Sequence, residues 1–165
     1  MTYLPYKDLL AKTNLHKVSI GSTGINIYSE PELLPGQIGY SIGSDGESLA
    51  GQNEGDWKQE WLVIGHEESC GDPIFVDLQS VAFPVYTALH GIGEWRANRI
   101  ADSFEAFGKS LMIISDIAIG REDPVKLEKN PVNPVERKKA LDNIKQLNPT
   151  SDIEFWELLL GHFED

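Results

Sequence analysis

The sequence predicts an α+β domain: a mostly antiparallel central sheet flanked by helices, with a C-terminal helical extension. Three observations carry that reading. Short apolar runs at 60–66 and 73–78 are separated by only a few polar residues. Such brief connections favour an antiparallel meander, because parallel pairing requires a longer crossover. From about residue 97 onward the apolar period lengthens to that of a helix, and strands followed by helices mark the α+β class.

Taken in order, PYKDLLAKT (5–13) predicts a short N-terminal helix. SEPELLPG (29–36) is broken by Pro31 and Pro35 into a turn-rich connection. QIGYSIG (37–43) alternates Ile38, Tyr40 and Ile42, the period of a half-buried strand. SDGESLAGQNEGD (44–56) has the glycine and turn-forming content of a loop. EWLVIGH (60–66) and PIFVDL (73–78) are β-branched and aromatic runs bounded by Gly, Pro and Asp. VYTALH (85–90) predicts another strand, with Pro84 at its entry, where a missing N–H costs least. In 97–114, Ile100, Phe104, Phe107, Leu111 and Ile114 form one helical stripe, which Gly108 weakens by about 1 kcal/mol. EDPVKLEKNPVNP (122–134) reads as a proline-rich linker. Asn133, Pro134 and Glu136 open a helix over 133–147 as cap, first position and third position. Ser151 and Glu154 have capping-box spacing for a last helix over 151–163, with Ile153, Trp156, Leu159, Leu160 and Phe163 towards one side. The domain organisation is thus 1–121 as the α+β unit and 122–165 as a linker and helical pair packing on it.

A chain of 165 residues buries about 70% of its unfolded surface, enough to fold without disulfides or metal. The single Cys70 excludes an intramolecular disulfide. The N-terminus lacks the basic start and apolar stretch of a signal peptide, and no run approaches the roughly 18 apolar residues of a membrane span. A cytoplasmic location is therefore expected. The formal net charge of −12 disfavours binding to nucleic acid or anionic lipid. That charge is uneven. Between Asp45 and Leu78 nine carboxylates face one base, Lys58, whereas 121–145 holds seven bases and five acids. Each carboxylate alone reads as solubility; together they suggest an acidic face that steers a basic partner.

HEESCGD (66–72) places His66, Glu67, Glu68, Cys70 and Asp72 within seven residues. A zinc site from His66, Cys70 and Asp72 lacks the usual CxxC or HExxH spacing and a second ligand cluster. SDGESLAGQNEGD lacks the alternating ligands of a calcium loop. A Cys70 nucleophile paired with His66 or His90 has no evident orienting group, and neighbouring carboxylates work against its thiolate. Glu67 and Glu68 are adjacent, so in an extended segment they point opposite ways and do not share a substrate. GIGEWRAN (91–98) has glycines but no strand–GxGxxG–helix context for phosphate. Neither catalytic nor cofactor-binding residues are assigned. Trp57 and Trp95 are either exposed anchors for a partner or seals at the core edge.

IGYSIGSDG, WLVIGHEESCGDPIFVDL, PVYTALHGIGEW and IADSFEAF, in that order across about 30–111, together resemble the SUKH superfamily. That group includes the Smi/Knr cell-wall-synthesis regulators and bacterial immunity proteins. The matching features are the Ile-Gly strand end before a charged loop, the Gly71-Asp72 turn, the Ile74–Leu78 strand, Pro84-Val85-Tyr86 with His90, and a helix holding Ser103, Phe104 and Phe107. The N-terminal pattern of the family has only a partial echo in LPYKDLL, and the segment after about Arg121 has no counterpart. The resemblance implies a single α+β domain without an active site. It also implies a protein partner, either a bacterial toxin to be neutralised or, as the alternative, a signalling protein bound by a scaffold. Nuclease toxins present basic clefts, which agrees with the acidic block. The partner-binding residues this suggests are Asp45, Glu47, Asp56, Trp57, Glu67, Glu68, Asp72 and Trp95.

Overall fold

A computed structural model describes residues 15–161, together with Asp8 and Leu10, which are helical. The expected helix over 5–13 otherwise lies outside the described residues. Among the described residues six strands form one sheet in the order β1-β2-β3-β4-β5-β6, every neighbouring pair antiparallel. They are β1 (Lys17–Ile20), β2 (Thr23–Ile27), β3 (Trp61–Glu67), β4 (Pro73–Asp77), β5 (Val85–Thr87) and β6 (Asn98–Ala101). Among the described residues five α-helices accompany them: α1 (Glu30–Leu33), α2 (Phe104–Ala118), α3 (Pro124–Lys129), α4 (Pro134–Leu147) and α5 (Glu154–Leu159). The fold is the α+β meander that the sequence predicts.

Sheet alternation divides the interior into two cores. Val18 and Ile20 of β1, Ile25 and Ile27 of β2, Leu62 and Ile64 of β3, and Ile74 and Val76 of β4 pack with the helices. The helical contribution is the predicted stripe of Phe104, Phe107, Leu111 and Ile114, joined by Ala140, Ile144, Trp156 and Leu159 from the C-terminal segment. On the opposite face Val63, Phe75, Trp57 and Ala88 form a second, aromatic core, covered by loops instead of helices. Alternation along β3 serves both, Leu62 and Ile64 facing the helices and Val63 the aromatic core, and its register with β4 shifts between Val63 and Gly65. Gly65 permits the close approach of β2, since a Cβ there would lie 2.1 Å from the Asn26 carbonyl oxygen.

Several elements differ from the sequence reading. QIGYSIG is no strand: Pro35–Gln37 is a turn of 3-10 helix, and Ile38 and Ile42 make only isolated bridges. Its Ile-x-Tyr-x-Ile alternation is produced by turns, with Gly39 at φ +89°. SEPELLPG contains α1, whose start is closed by the Ser29 amide and hydroxyl donating to Glu32 at 2.7 and 2.6 Å. The helix expected over 97–114 is split. Asn98–Ala101 is the edge strand β6, and the helix begins after Ser103, whose hydroxyl accepts from Ala106 N. Ile100 falls four residues before Phe104, so its position mimics the stripe while its backbone joins the sheet. The strand at 85–90 ends at Thr87. The hairpin β1–β2 turns tightly, Ile20 pairing with Thr23 and Gly21 at φ +59°.

Beyond Arg121, the expected linker holds α3, capped by Asp123. Asn133 caps α4 as predicted, its side chain accepting from Glu136 N at 2.8 Å. The last helix is shorter than expected, and Ser151 does not cap it: Ile153 stands at that position, and the buried Ser151 donates its hydroxyl to Asp102 at 2.5 Å. Thr150 donates its amide and hydroxyl to the same carboxylate, at 3.1 and 2.6 Å, and Trp156 donates to the Ile100 carbonyl at 2.8 Å. Burial pushes the Asp102 carboxyl up, but these hydrogen bonds and the charge of Arg99 outweigh it and leave it below its ordinary value. Phe163 lies outside the described residues.

Arg121 joins the segment to the domain. Its buried guanidinium donates to the carbonyls of Ile117 and Asn130 and, with both terminal nitrogens, to the Glu136 carboxylate at 3.2 Å. A planar fork matched to a carboxylate is the geometry only arginine supplies.

Candidate functional site: an acidic two-loop face

The aromatic core is roofed by the segment from Gln37 to Lys58 and by the β5–β6 connection, 88–97. Trp57 stands at the centre, 1% exposed, with Tyr40, Trp61, Phe75 and Trp95 around it at ring-centroid distances of 5.3, 5.3, 4.8 and 5.2 Å. Trp57 therefore takes the core-sealing role and is no exposed anchor. Trp95 is half-buried; it meets Tyr40 at 5.5 Å, and its amide donates to the Gly55 carbonyl at 2.8 Å. These contacts join the two loops into one surface.

What fixes the first loop is Gln37, a residue the sequence reading passed over. Its side-chain amide is buried against β3 just beyond the end of β2, where Ile27 pairs with Gly65 and the Tyr28 amide reaches Ile64. The Gln37 Nε2 donates to the carbonyls of Val63 and Leu33 at 2.8 and 2.7 Å, and its Oε1 accepts from Val63 N at 3.0 Å. One side chain thus substitutes for the missing strand partner, since buried backbone polar groups require partners.

The HEESCGD turn is largely closed on itself. The Glu67 carboxylate accepts from the amides of Ser69 and Gly71 at 3.0 Å each and from that of Cys70. Three successive N–H groups form a natural anion cradle, here filled by the chain's own carboxylate. Gly71 completes the turn at φ +78°. Glu68 pairs with Lys17 at 2.9 Å. Asp72 accepts from the amide and the ring Nδ1 of His90, at 3.0 and 2.6 Å, tying the turn to the second loop. The three carboxylates proposed from this segment therefore all have internal partners.

His66 lies with Tyr28, Nδ1 to hydroxyl 3.3 Å. Burial raises the Tyr28 phenol, helped by Tyr40 and the Glu32 charge, and burial followed by the Asp72 charge raises that of Tyr40. Hydrogen bonds from Ser29 hold Glu32 below its ordinary value. Cys70 is exposed at the turn. Among the described residues no group of three His, Cys, Asp or Glu is placed to hold a metal ion. No helix among them is long and apolar enough to cross a membrane.

Asp45, Glu47 and Asp56 occupy the first loop. Asp45 and Asp56 accept from loop amides, Glu47 N at 3.1 Å and Asn53 N at 2.8 Å. Glu47 and Glu54 have no ion pair with a described residue. The second loop adds Glu94, beside the Gly55 backbone and paired with Arg96 at 2.5 Å. The same two loops leave large apolar side chains in solvent: Ile38 at 52%, Leu49 at 49% and Ile92 at 51% exposure, with Leu89 also exposed. Sequence reading missed these apolar residues and Glu94. The available signal was a lone large aliphatic inside a glycine-rich loop, as in SDGESLAGQ and HGIGEW. Comparison with known proteins finds no matching family model, no matching curated protein and no matching solved structure.

Proposed function

We propose that this is a non-enzymatic binding protein that neutralises a cognate bacterial toxin with a basic surface, of which a nuclease is an example. The observation that carries the reading is the joined two-loop face, whose first loop carries Asp45, Glu47, Glu54 and Asp56 against a single base, Lys58, whose ammonium donates to the Asn53 carbonyl at 2.5 Å. Such a field attracts a basic protein and speeds encounter. The SUKH resemblance and the α+β meander support the immunity form of this role.

The test is co-expression with a toxin encoded beside the gene. Expected are restored growth and a stable complex whose association slows as salt rises. A chain that neither binds nor protects refutes the reading. A stable complex with an endogenous signalling protein, without protection from any toxin, transfers the assignment to a scaffold of the cell-wall-regulator type.

A further inference from the structure

We propose that the two-loop face is a mixed acidic–apolar docking surface whose occupant is a basic protein segment projecting aliphatic or aromatic side chains. This deepens the binding role proposed above and rests on it, but not on the partner being a toxin. Acidity alone would fit any polycation. The added observation is that Ile38, Leu49 and Ile92 are each about half exposed on loops already joined through Tyr40, Trp57 and Trp95. Large aliphatic groups held in solvent on joined loops are candidate partner contacts. Together with the carboxylates of the same loops they offer the two kinds of group that protein interfaces combine, apolar anchors and polar rim.

Charge selects among occupants. Nucleic acid and anionic lipid are repelled by the surrounding carboxylates. A second copy meeting the same face across a two-fold axis would set acid against acid. A basic segment with apolar projections satisfies both features. The loops need little ordering on binding, because Gln37 bolts the first to β3 and the Asp72–His90 contact ties the second to the β3–β4 turn. Preorganisation of this kind lowers the entropy cost of association.

Two synthetic peptides of equal charge test the proposal, one alternating arginine with leucine and one alternating arginine with serine. Each is titrated into the full chain, followed by amide and indole NMR and by surface-binding kinetics. Expected is preferential binding of the leucine peptide, with shifts at Ile38, Glu47, Leu49, Ile92 and the Trp95 indole. The double variant Leu49→Ser, Ile92→Ser should weaken it by roughly tenfold or more through faster dissociation. Glu47→Lys with Glu54→Lys should instead slow association. All four side chains are exposed, and an unchanged unfolding transition verifies the fold. Equal affinity for the two peptides, binding of neither, shifts centred elsewhere, or concentration-dependent self-association through this face would each overturn the proposal. Toxin binding that the double variant leaves intact removes the docking face while sparing the immunity role. Peptide binding without toxin protection does the reverse.

Discussion

Replacing Gln37 with alanine should destabilise the protein far more than an ordinary polar-to-alanine change in a loop. The side chain supplies three hydrogen bonds, to Val63 N, Val63 O and Leu33 O. Val63 is fully buried in the central strand β3, so water reaches its amide and carbonyl only if the loop lifts. A buried backbone group left without a partner costs about 1–3 kcal/mol. The two groups on Val63 together therefore set an expected loss of about 2–6 kcal/mol, a large part of the 5–15 kcal/mol typical of a whole domain. Gln37→Met keeps the volume but orphans the same groups, so it should fall in the same range. Gln37→Glu loses both donated bonds and places a charge beside two carbonyls, and should be the worst of the three.

Urea unfolding followed by tryptophan fluorescence and by far-ultraviolet circular dichroism measures the effect, with hydrogen exchange at the Val63 amide reporting the local opening. Expected is a lower midpoint with unchanged denaturant dependence, and a Val63 amide that exchanges faster than its β3 neighbours. A loss below about 1 kcal/mol with Val63 still protected would refute the reasoning, because it would mean another group satisfies Val63.

Three further outcomes follow from the packing. Arg121→Ala should cost about 3–5 kcal/mol by leaving Glu136 and the helix-end carbonyls without their donor, and Arg121→Lys should recover only part of it; chemical denaturation measures both. Trp57→Ala should cost about 3–5 kcal/mol and Trp95→Ala clearly less, because the first is fully buried and the second half exposed; equal losses would contradict the two-core description. The folded-state pKa of Asp102 is lowered, so the unfolded chain binds the extra proton; its stabilisation is present above the ordinary value of 3.8 and is lost as pH falls through the folded value. Asp102→Asn should accordingly narrow its stability deficit against the parent below about pH 4 in acid titrations of unfolding.

Local signals survived folding; long-range ones were invisible. The Asn133-Pro134-Glu136 start of α4 was legible because a cap is made within four residues. The β3–β4 pair was legible because two β-branched runs flank a Gly-Asp turn. QIGYSIG was misread because its apparent period comes from turns, and its real tie, Gln37 to Val63, spans 26 residues. NRIA was absorbed into a helical stripe because a four-residue edge strand is too short to show a period of its own. For the site, composition located the acids but could not say which would be engaged. Glu67 closes on the turn that follows it, while Asp72 meets His90 from 18 residues away. The surface that remains, on 44–56 and around Glu94, is narrower than the acidic block suggested.

The unequal fate of charges at the two ends of the chain follows from how each sheet face is covered. The helical face is closed by long elements, and the C-terminal bases pair with acids either between elements, as Arg121 does, or within one segment, as i, i+4 pairs do. Arg121 grips Glu136, Lys126 pairs with Glu122, Lys138 with Asp142, and Lys145 donates to the Ser151 carbonyl. Glu122 shows the effect most clearly: backbone amides of Gly120 and Glu122, then Lys126, hold its carboxyl down to about 2. These opposite charges are neutralised at short range and project little field. The aromatic face is closed by loops fastened through a neutral amide and packed rings, and among the described residues only Glu94 of their carboxylates has a cationic partner. The carboxylates of Glu47 and Glu54, unpaired among the described residues, therefore add to the outward field on the loops that also expose Ile38, Leu49 and Ile92. Substituting Arg121 should then lower stability while leaving association with a basic partner almost unchanged. Substituting the loop acids should do the opposite.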